Sequence, residues 1–320
     1  MIVDLPSTTT SAVNKKLVRL REAGGVLALG RVLTLVIITD DGAAIEAAIE
    51  AANEASREHP CRVIVVARGH HEAAPRMDAQ IRVGGDAGAS DVIVLRGYGP
   101  LAVESASASM VMPLLLPDAP VVAWWPGEAP LVPSQDAVGQ LAQRRITDAL
   151  SAKNPLEAFE QRCTHHIAGD TDLVWTRLTS WRALLATALD APPHEEVTAA
   201  TVVGEEISPS TDLLAGWLAV RLGVAVERAT AKTCHGLVSV RLERRSGPVE
   251  LIRPDGKTGR LRQPGQPDRL VALARREVRD CLTEELRRLD PDEIYEAALG
   301  GVGQIVRADT PVAAPSLARS

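Results

Sequence analysis

Arg31-Val32-Leu33-Thr34-Leu35-Val36-Ile37-Ile38-Thr39 is a nearly unbroken β-branched and apolar run. A strand with one wet face alternates apolar and polar residues, so a continuous run predicts a strand covered on both faces. Asp40 follows as an N-cap, and Ile45, Ala48, Ile49 and Ala52 form the buried stripe of a helix reaching about Arg57. Arg62-Val63-Ile64-Val65-Val66-Ala67 is a second covered strand. Strand, helix and strand in that order predict a parallel βαβ unit with a right-handed crossover.

Upstream lies a short basic amphipathic segment around Leu17 and Leu20, closed by Gly24-Gly25. Downstream, strands are expected at Gln80–Val83, Asp91–Leu95 and Pro120–Trp125, with Gly84-Gly85-Asp86-Ala87-Gly88 as a turn. Helices are expected over Leu101–Met110, Ser134–Leu150, Pro155–Cys163 and Leu173–Leu189. Ala191-Pro192-Pro193-His194-Glu195-Glu196 combines prolines and charge and reads as a domain boundary. Beyond it come a strand at Thr198–Val203, a helix opened by Ser208-Pro209 and closed by Gly223, and a strand at Val224–Ala229. An antiparallel meander follows through Val238–Leu242 and Val249–Arg253, then a closing helix from Pro267 to Leu289.

The expected fold class is therefore α/β. A mixed, partly parallel sheet flanked by helices occupies residues 1–190, a smaller α/β domain with an antiparallel meander occupies 197–307, and 308–320 form a flexible tail. A chain of 320 residues exceeds the size at which one core stops growing, which fits two domains.

The formal charge of −6 argues against nucleic acid as a partner, because such binding rests on neutralising phosphates. The N-terminus lacks a signal peptide, and the longest apolar run, Val111–Trp125, is broken by Pro113, Pro117, Asp118 and Pro120, so no membrane role is expected. Cys61, Cys163, Cys234 and Cys281 lie far apart without a C-x-x-C pair, which fits a reducing cytoplasmic setting.

Candidate chemistry is sparse. The Gly84–Gly88 segment does not open a helix, and Asp40-Asp41-Gly42 puts carboxylates where a dinucleotide pyrophosphate would sit, so no cofactor is expected. Asp170 and Asp172 form the best acid pair; they read as helix N-caps, or alternatively as Mg²⁺ ligands and nucleophile of a phosphotransfer or phosphohydrolase enzyme. Cys163 with His165-His166, and His70-His71, match no zinc spacing, so no metal site is expected. Between Arg241 and Arg262 the chain carries a net charge of +4, and Arg241, Arg244, Arg245, Arg253 and Lys257 form either a solvated face or a patch for an anion such as a sugar phosphate, or for an acidic partner.

Tryptophan is the sharper signal, because aromatic residues make up only 2% of the chain. Trp124 and Trp125 sit at a strand end and must face opposite sides. Trp175 with Arg177, and Trp181 with Arg182, repeat a Trp/Arg pairing typical of protein interfaces.

Gly30–Leu35, His59–Val63, Pro113–Asp118, Ala123-Trp124-Trp125-Pro126, Arg144-Arg145-Ile146-Thr147-Asp148 and Gly169–Thr179 together resemble the OpcA family of glucose-6-phosphate dehydrogenase assembly proteins, in its actinobacterial form. The resemblance runs from the first strand through the C-terminal helix, and the stretch from Gly169 to Arg182 is its most specific part. It implies an N-terminal and a C-terminal domain and a non-catalytic partner that promotes assembly or activation of glucose-6-phosphate dehydrogenase in the oxidative pentose phosphate pathway. In cyanobacterial relatives thiol redox state is tied to that role; the isolated cysteines here give no reason to carry it over. The family supplies no catalytic residues to transfer. Trp124, Trp125, Arg144, Arg145, Asp170, Asp172, Trp175, Arg177 and Arg182 are the expected partner-binding set, as contacts or as their support.

Overall fold

A computed structural model describes residues 1–24, 30–84, 91–232, 234–253 and 255–312. The end of the basic segment at Gly25, the turn at Gly85–Gly88 and most of the expected tail lie outside the described residues. The chain divides into two compact units that do not follow chain order. The first comprises 1–153, 167–173 and 278–291, and the second 154–166, 174–277 and 292–320. The Ala191–Glu196 segment lies inside the second unit.

The first unit is built on eight strands: β1 (Ile2–Leu5), β2 (Leu33–Asp40), β3 (Cys61–Arg68), β4 (Arg76–Arg82), β5 (Asp91–Tyr98), β6 (Val121–Trp124), β7 (Arg144–Thr147) and β8 (Asp170–Asp172). Their order is β1-β4-β5-β3-β2-β6-β7-β8. β1 and β4 are antiparallel additions, while β5, β3, β2, β6, β7 and β8 run parallel. Counted among themselves in chain order, the six parallel strands lie 3-2-1-4-5-6, the order of doubly wound sheets.

The apolar runs behave as their patterns require. Leu33, Leu35 and Ile37 of β2 join one core with Val63, Val65, Trp124 and Ile146, whereas Val36 and Ile38 join the other with Ile64, Val66, Ala123 and Trp125. The first core is closed by α2 (Ala44–Glu58), through Ile45, Ala48, Ile49 and Ala52, and by Cys281, Leu282 and Leu286 of α8 (Val278–Arg287). The second is closed by Val13 and Leu17 of α1 (Thr10–Gly24) and by Met110 and Val111 of α3 (Glu104–Val111).

Four sequence expectations are corrected here. Ser134–Leu150 is not a helix; it holds short 3-10 turns and β7. Asp136 accepts hydrogen bonds from the Val138 and Gly139 amides at 2.8 and 3.0 Å, and a Cβ on Gly139 would lie 1.8 Å from the Pro133 carbonyl, so the segment folds as a tight turn before joining the sheet. Asp170 and Asp172 lie on strand β8 instead of capping a helix, and the helix expected at Leu173–Leu189 is two helices, α5 (Leu173–Arg177) and α6 (Thr179–Asp190). The closing helix from Pro267 is also absent. Arg269–Ala272 forms a strand, and helix begins only at Val278.

The second unit is a seven-stranded sheet of β9 (Ala199–Gly204), β10 (Val226–Thr230), β11 (Leu237–Glu243), β12 (Val249–Ile252), β13 (Thr258–Arg262), β14 (Arg269–Ala272) and β15 (Val306–Arg307), ordered β14-β13-β12-β11-β9-β10-β15. β11 to β14 form the antiparallel meander. β9 and β10 are parallel and joined by α7 (Pro209–Leu222). That helix starts and stops as its sequence dictates. The Ser208 hydroxyl accepts from Thr211 N, Pro209 takes the first position, and Gly223 closes it at φ 65°. α4 (Pro155–His165), α5, α6 and α9 (Glu293–Gly301) complete the unit.

Candidate functional site

The Trp, Arg and Asp residues singled out above fall into both units. In the first unit Trp124 and Trp125 are fully buried on opposite faces of the sheet, as strand alternation requires, one in each core. Arg144 and Arg145 diverge in the same way. Arg144 donates to Glu285 Oε2 at 2.6 Å and to the Asp290 carbonyl at 2.8 Å. Arg145 ion-pairs with Asp170 and donates to the Ala142 and Ala168 carbonyls at 2.9 and 2.7 Å. Gly169 makes that nest possible: at φ +91° a Cβ there would sit 2.8 Å from Arg145 Nη2 and 2.6 Å from the Gln143 carbonyl.

The acid pair is spent in the same register. Arg145 stands opposite Asp170, and Thr147 opposite Asp172, on neighbouring parallel strands. Asp172 accepts from Thr147 Oγ1 at 2.6 Å and from Ala149 N at 2.9 Å and is completely buried. Both carboxylates are thus enclosed among protein donors, an arrangement that explains two acids on a short strand without any ion. Among the described residues no group of three or more His, Cys, Asp or Glu converges to hold a metal.

In the second unit Trp175 is buried and donates from Nε1 to Asp292 Oδ2 at 2.8 Å. Arg182 lies over its ring at 3.4 Å from the centroid, and Tyr295 packs beside it at 5.7 Å with His166 edge-on at 5.4 Å. Arg177 is half-buried. The basic residues of 241–257 do not converge. Arg241 is paired with Glu243 and Glu250, while Arg245 and Lys257 are exposed. Arg244 is buried and donates to the Pro193 carbonyl at 3.4 Å. Arg253 turns inward to the Leu273 and Leu237 carbonyls and under Trp181, where burial and then the Arg275 cation push its pKa down to about 10.

In the doubly wound order the succession of the parallel strands changes sense between β2 and β6, the switch point at which such sheets bind ligands beyond their carboxyl ends. Here the β2–α2 turn is Asp40-Asp41-Gly42. Asp40 pairs with Arg68 and Asp41 with Arg96, both at 3.2 Å. Carboxylates and their own counter-ions occupy the place a pyrophosphate would take.

A concavity that sequence reasoning missed lies on the same unit. It is an open depression of about 590 Å³ between α3 and the 133–141 turns, lined by Val103, Glu104, Ala108, Met112, Gln140 and Leu141, among others. At one end the carboxyl of Glu104 hydrogen-bonds that of Asp136. That contact, burial and the Asp136 charge push Glu104 up to about 7, against a smaller opposing pull from Arg68. The only local signal was Asp136 in a Pro133-to-Gly139 turn, and the turn itself was misread as helix.

Comparison with known proteins adds the following. A family model described as the glucose-6-phosphate dehydrogenase subunit N-terminal domain, of the OpcA assembly type, matches residues 52–164, and the corresponding C-terminal domain matches 168–299. A protein of Synechococcus elongatus named as an OxPP cycle protein OpcA is 30% identical over 184 residues, covering 52% of this chain and 40% of that protein. The chain therefore spans well under two thirds of that relative's length. Among solved structures, an oxidoreductase from Sinorhizobium meliloti is 10% identical with a TM-score of 0.41, over 83% of this chain and 85% of that one. The WlbA dehydrogenase from Chromobacterium violaceum is 11% identical with a TM-score of 0.38, over 87% and 94%. Likenesses of that size carry no argument about function.

Proposed function

The chain belongs to the OpcA family, and from that premise we propose that it is a non-catalytic assembly factor and allosteric activator that binds glucose-6-phosphate dehydrogenase. By binding the active oligomer more tightly than the inactive form, it raises flux through the oxidative pentose phosphate pathway and so NADPH production. The observation that carries this reading is the pair of family matches, which together extend from residue 52 to residue 299.

What the residues do supports it. The best acid pair is committed to Arg145, Thr147 and backbone amides, which argues against phosphotransfer by Asp170 and Asp172. The scattered 241–257 cations argue against a sugar-phosphate pocket. Trp124, Trp125, Arg144, Arg145, Asp170 and Asp172 act in this reading as buried support within the first unit, and Trp175 as buried support within the second, where Arg177 and Arg182 are half-buried. No helix among the described residues is long and apolar enough to cross a membrane, and we assign the cytoplasm, where the dehydrogenase works.

The linkage is quantitative: each 1.4 kcal/mol of preference for the active oligomer shifts its population about tenfold. An assay of the dehydrogenase from the same source, with and without the purified protein, tests the proposal. Activation that saturates with added protein supports it, and unchanged activity at all ratios counts against it.

A further inference from the structure

Thr34, Arg62 and Asp91 stand in one row across β2, β3 and β5, near the amino ends of these parallel strands. Strand alternation puts them on the same face as Val36, Ile64 and Ile93, the face that α1 covers, and all three are buried. Two further cations enter this row. The last turn of α1 brings Arg21, where a helix carboxyl end favours positive charge, and the segment leading into β2 brings Arg31. Both guanidiniums reach one oxygen, Asp91 Oδ2, that of Arg31 at 2.6 Å. Arg62 turns instead to the Leu114 carbonyl through Nη1 and forms no ion pair among the described residues. The Nε atoms of Arg21 and Arg62 are buried without a hydrogen-bond partner.

Elsewhere in this unit buried ion pairs match one arginine to one carboxylate, as in Arg144 with Glu285 and Arg145 with Asp170. Here three guanidiniums surround a single carboxylate, which leaves two positive charges over among the described residues. Surplus charge out of water is costly unless an opposite charge meets it. Arg62 registers that cost: burial and then the Arg21 cation push its pKa down to about 10, against a smaller opposing pull from Asp91. The cluster opens to solvent through Arg21 and Arg31, whose side chains are 25% and 12% exposed. Each guanidinium has five N–H donors, and Arg31 commits one nitrogen to Asp91.

We propose that Arg21, Arg31 and Arg62 form a binding site for a phosphate dianion, free or as the monoester of a small metabolite. Arg21 and Arg31 hold its oxygens from the solvent side with the nitrogens that Asp91 leaves free. Arg62, 6% exposed, adds charge from behind without touching the ligand through its buried Nε. A carboxylate would cancel half of the surplus charge, whereas a phosphate monoester carries about −1.5 to −2 at neutral pH and offers the oxygens that guanidinium forks prefer. The site lies within the first unit and does not depend on the dehydrogenase reading. The cations of 241–257, in the second unit, take no part in it.

Calorimetric titration of the full chain with inorganic phosphate and, separately, with glycerol 3-phosphate tests it. The wild type should bind, Arg31→Gln and Arg21→Gln should each weaken binding at least about tenfold, and Arg241→Gln in the second unit should leave it unchanged. A gain of about tenfold or more for the ester assigns a phosphorylated metabolite, and a smaller gain assigns the free ion; both support the site. Should the two variants misfold, arginine modification of the wild type by phenylglyoxal decides: phosphate should slow reaction at Arg21 and Arg31 in the peptide map. No heat and no rise in melting midpoint at about 10 mM of either ligand would overturn the proposal. Undiminished binding by both folded variants, or modification of Arg21 and Arg31 at the same rate with and without phosphate, would overturn it as well.

Discussion

Arg144 Nη2 donates to Glu285 Oε2 at 2.6 Å, joining β7 to a helix 141 residues further along the chain, with both side chains 5% exposed or less. The pair fixes α8 against β7, one strand in from the β8 edge of the first sheet. Removing one member of a buried pair strands the other charge, which costs about 3–5 kcal/mol. Glu285→Ala should lose stability in that range in a denaturant titration, and Arg144→Met together with Glu285→Met should recover most of it. A loss under about 1 kcal/mol in the single variant would show that the pair is solvated. Charge reversal at Arg144 or Arg145 therefore reads out folding before it reads out partner contact.

How far the sequence revealed these relationships depends on where the decisive partner lies. β2 and β3 were legible because short, uninterrupted runs rich in β-branched residues mark strands covered on both faces. The divergence of Trp124 and Trp125 followed from strand alternation alone. β8 was not legible: Asp170-Thr171-Asp172 has no strand pattern, and its carboxylates are tolerable only because Arg145 and Thr147 stand opposite. Val138, Leu141, Ala142 and Ile146 kept a helical spacing that turn chemistry and sheet pairing overrode. Leu270, within the stretch expected as the closing helix, is 69% exposed on edge strand β14. Glu285 and Asp292 lie more than 100 residues from Arg144 and Trp175, beyond any local pattern.

Asp292 does two jobs in the second unit. Its Oδ1 accepts from the Ile294 and Tyr295 amides at the start of α9, and its Oδ2 accepts from Trp175 Nε1. Asp292→Ala should cost about 2–3 kcal/mol, the sum of a lost cap and a buried indole N–H left without a partner. Asp292→Asn keeps one acceptor oxygen, enough for the Ile294 and Tyr295 amides but not for Trp175 Nε1 as well, and should cost less than the alanine variant. Equal losses for the two variants in chemical denaturation would contradict this division.

Cys61 is buried beside the Ser56 hydroxyl, and burial pushes its thiol up to about 11. The thiolate is the reactive form, so alkylation of the native protein at pH 8 should spare Cys61 while half-buried Cys163 reacts. Peptide mapping checks the order. Modification of Cys61 at the rate of Cys163 would contradict it.

Glu104 is held protonated by Asp136 up to about 7 in the folded chain, well above its ordinary value of 4.5. Between those two values the folded state retains a proton that the unfolded state has lost, so stability falls as pH rises through that window and levels off above it. Glu104→Gln cannot titrate and should flatten this part of the curve of melting midpoint against pH. An identical slope in the variant would show that the carboxyl pair is not formed.

The central claim is that this chain acts by binding glucose-6-phosphate dehydrogenase. Size-exclusion chromatography with light scattering on the two purified proteins, alone and mixed, tests it most directly. The account predicts a new species that contains both chains, with a mass equal to a dehydrogenase oligomer plus a whole number of copies of this protein. Two unshifted peaks at concentrations well above those that give activation would contradict it.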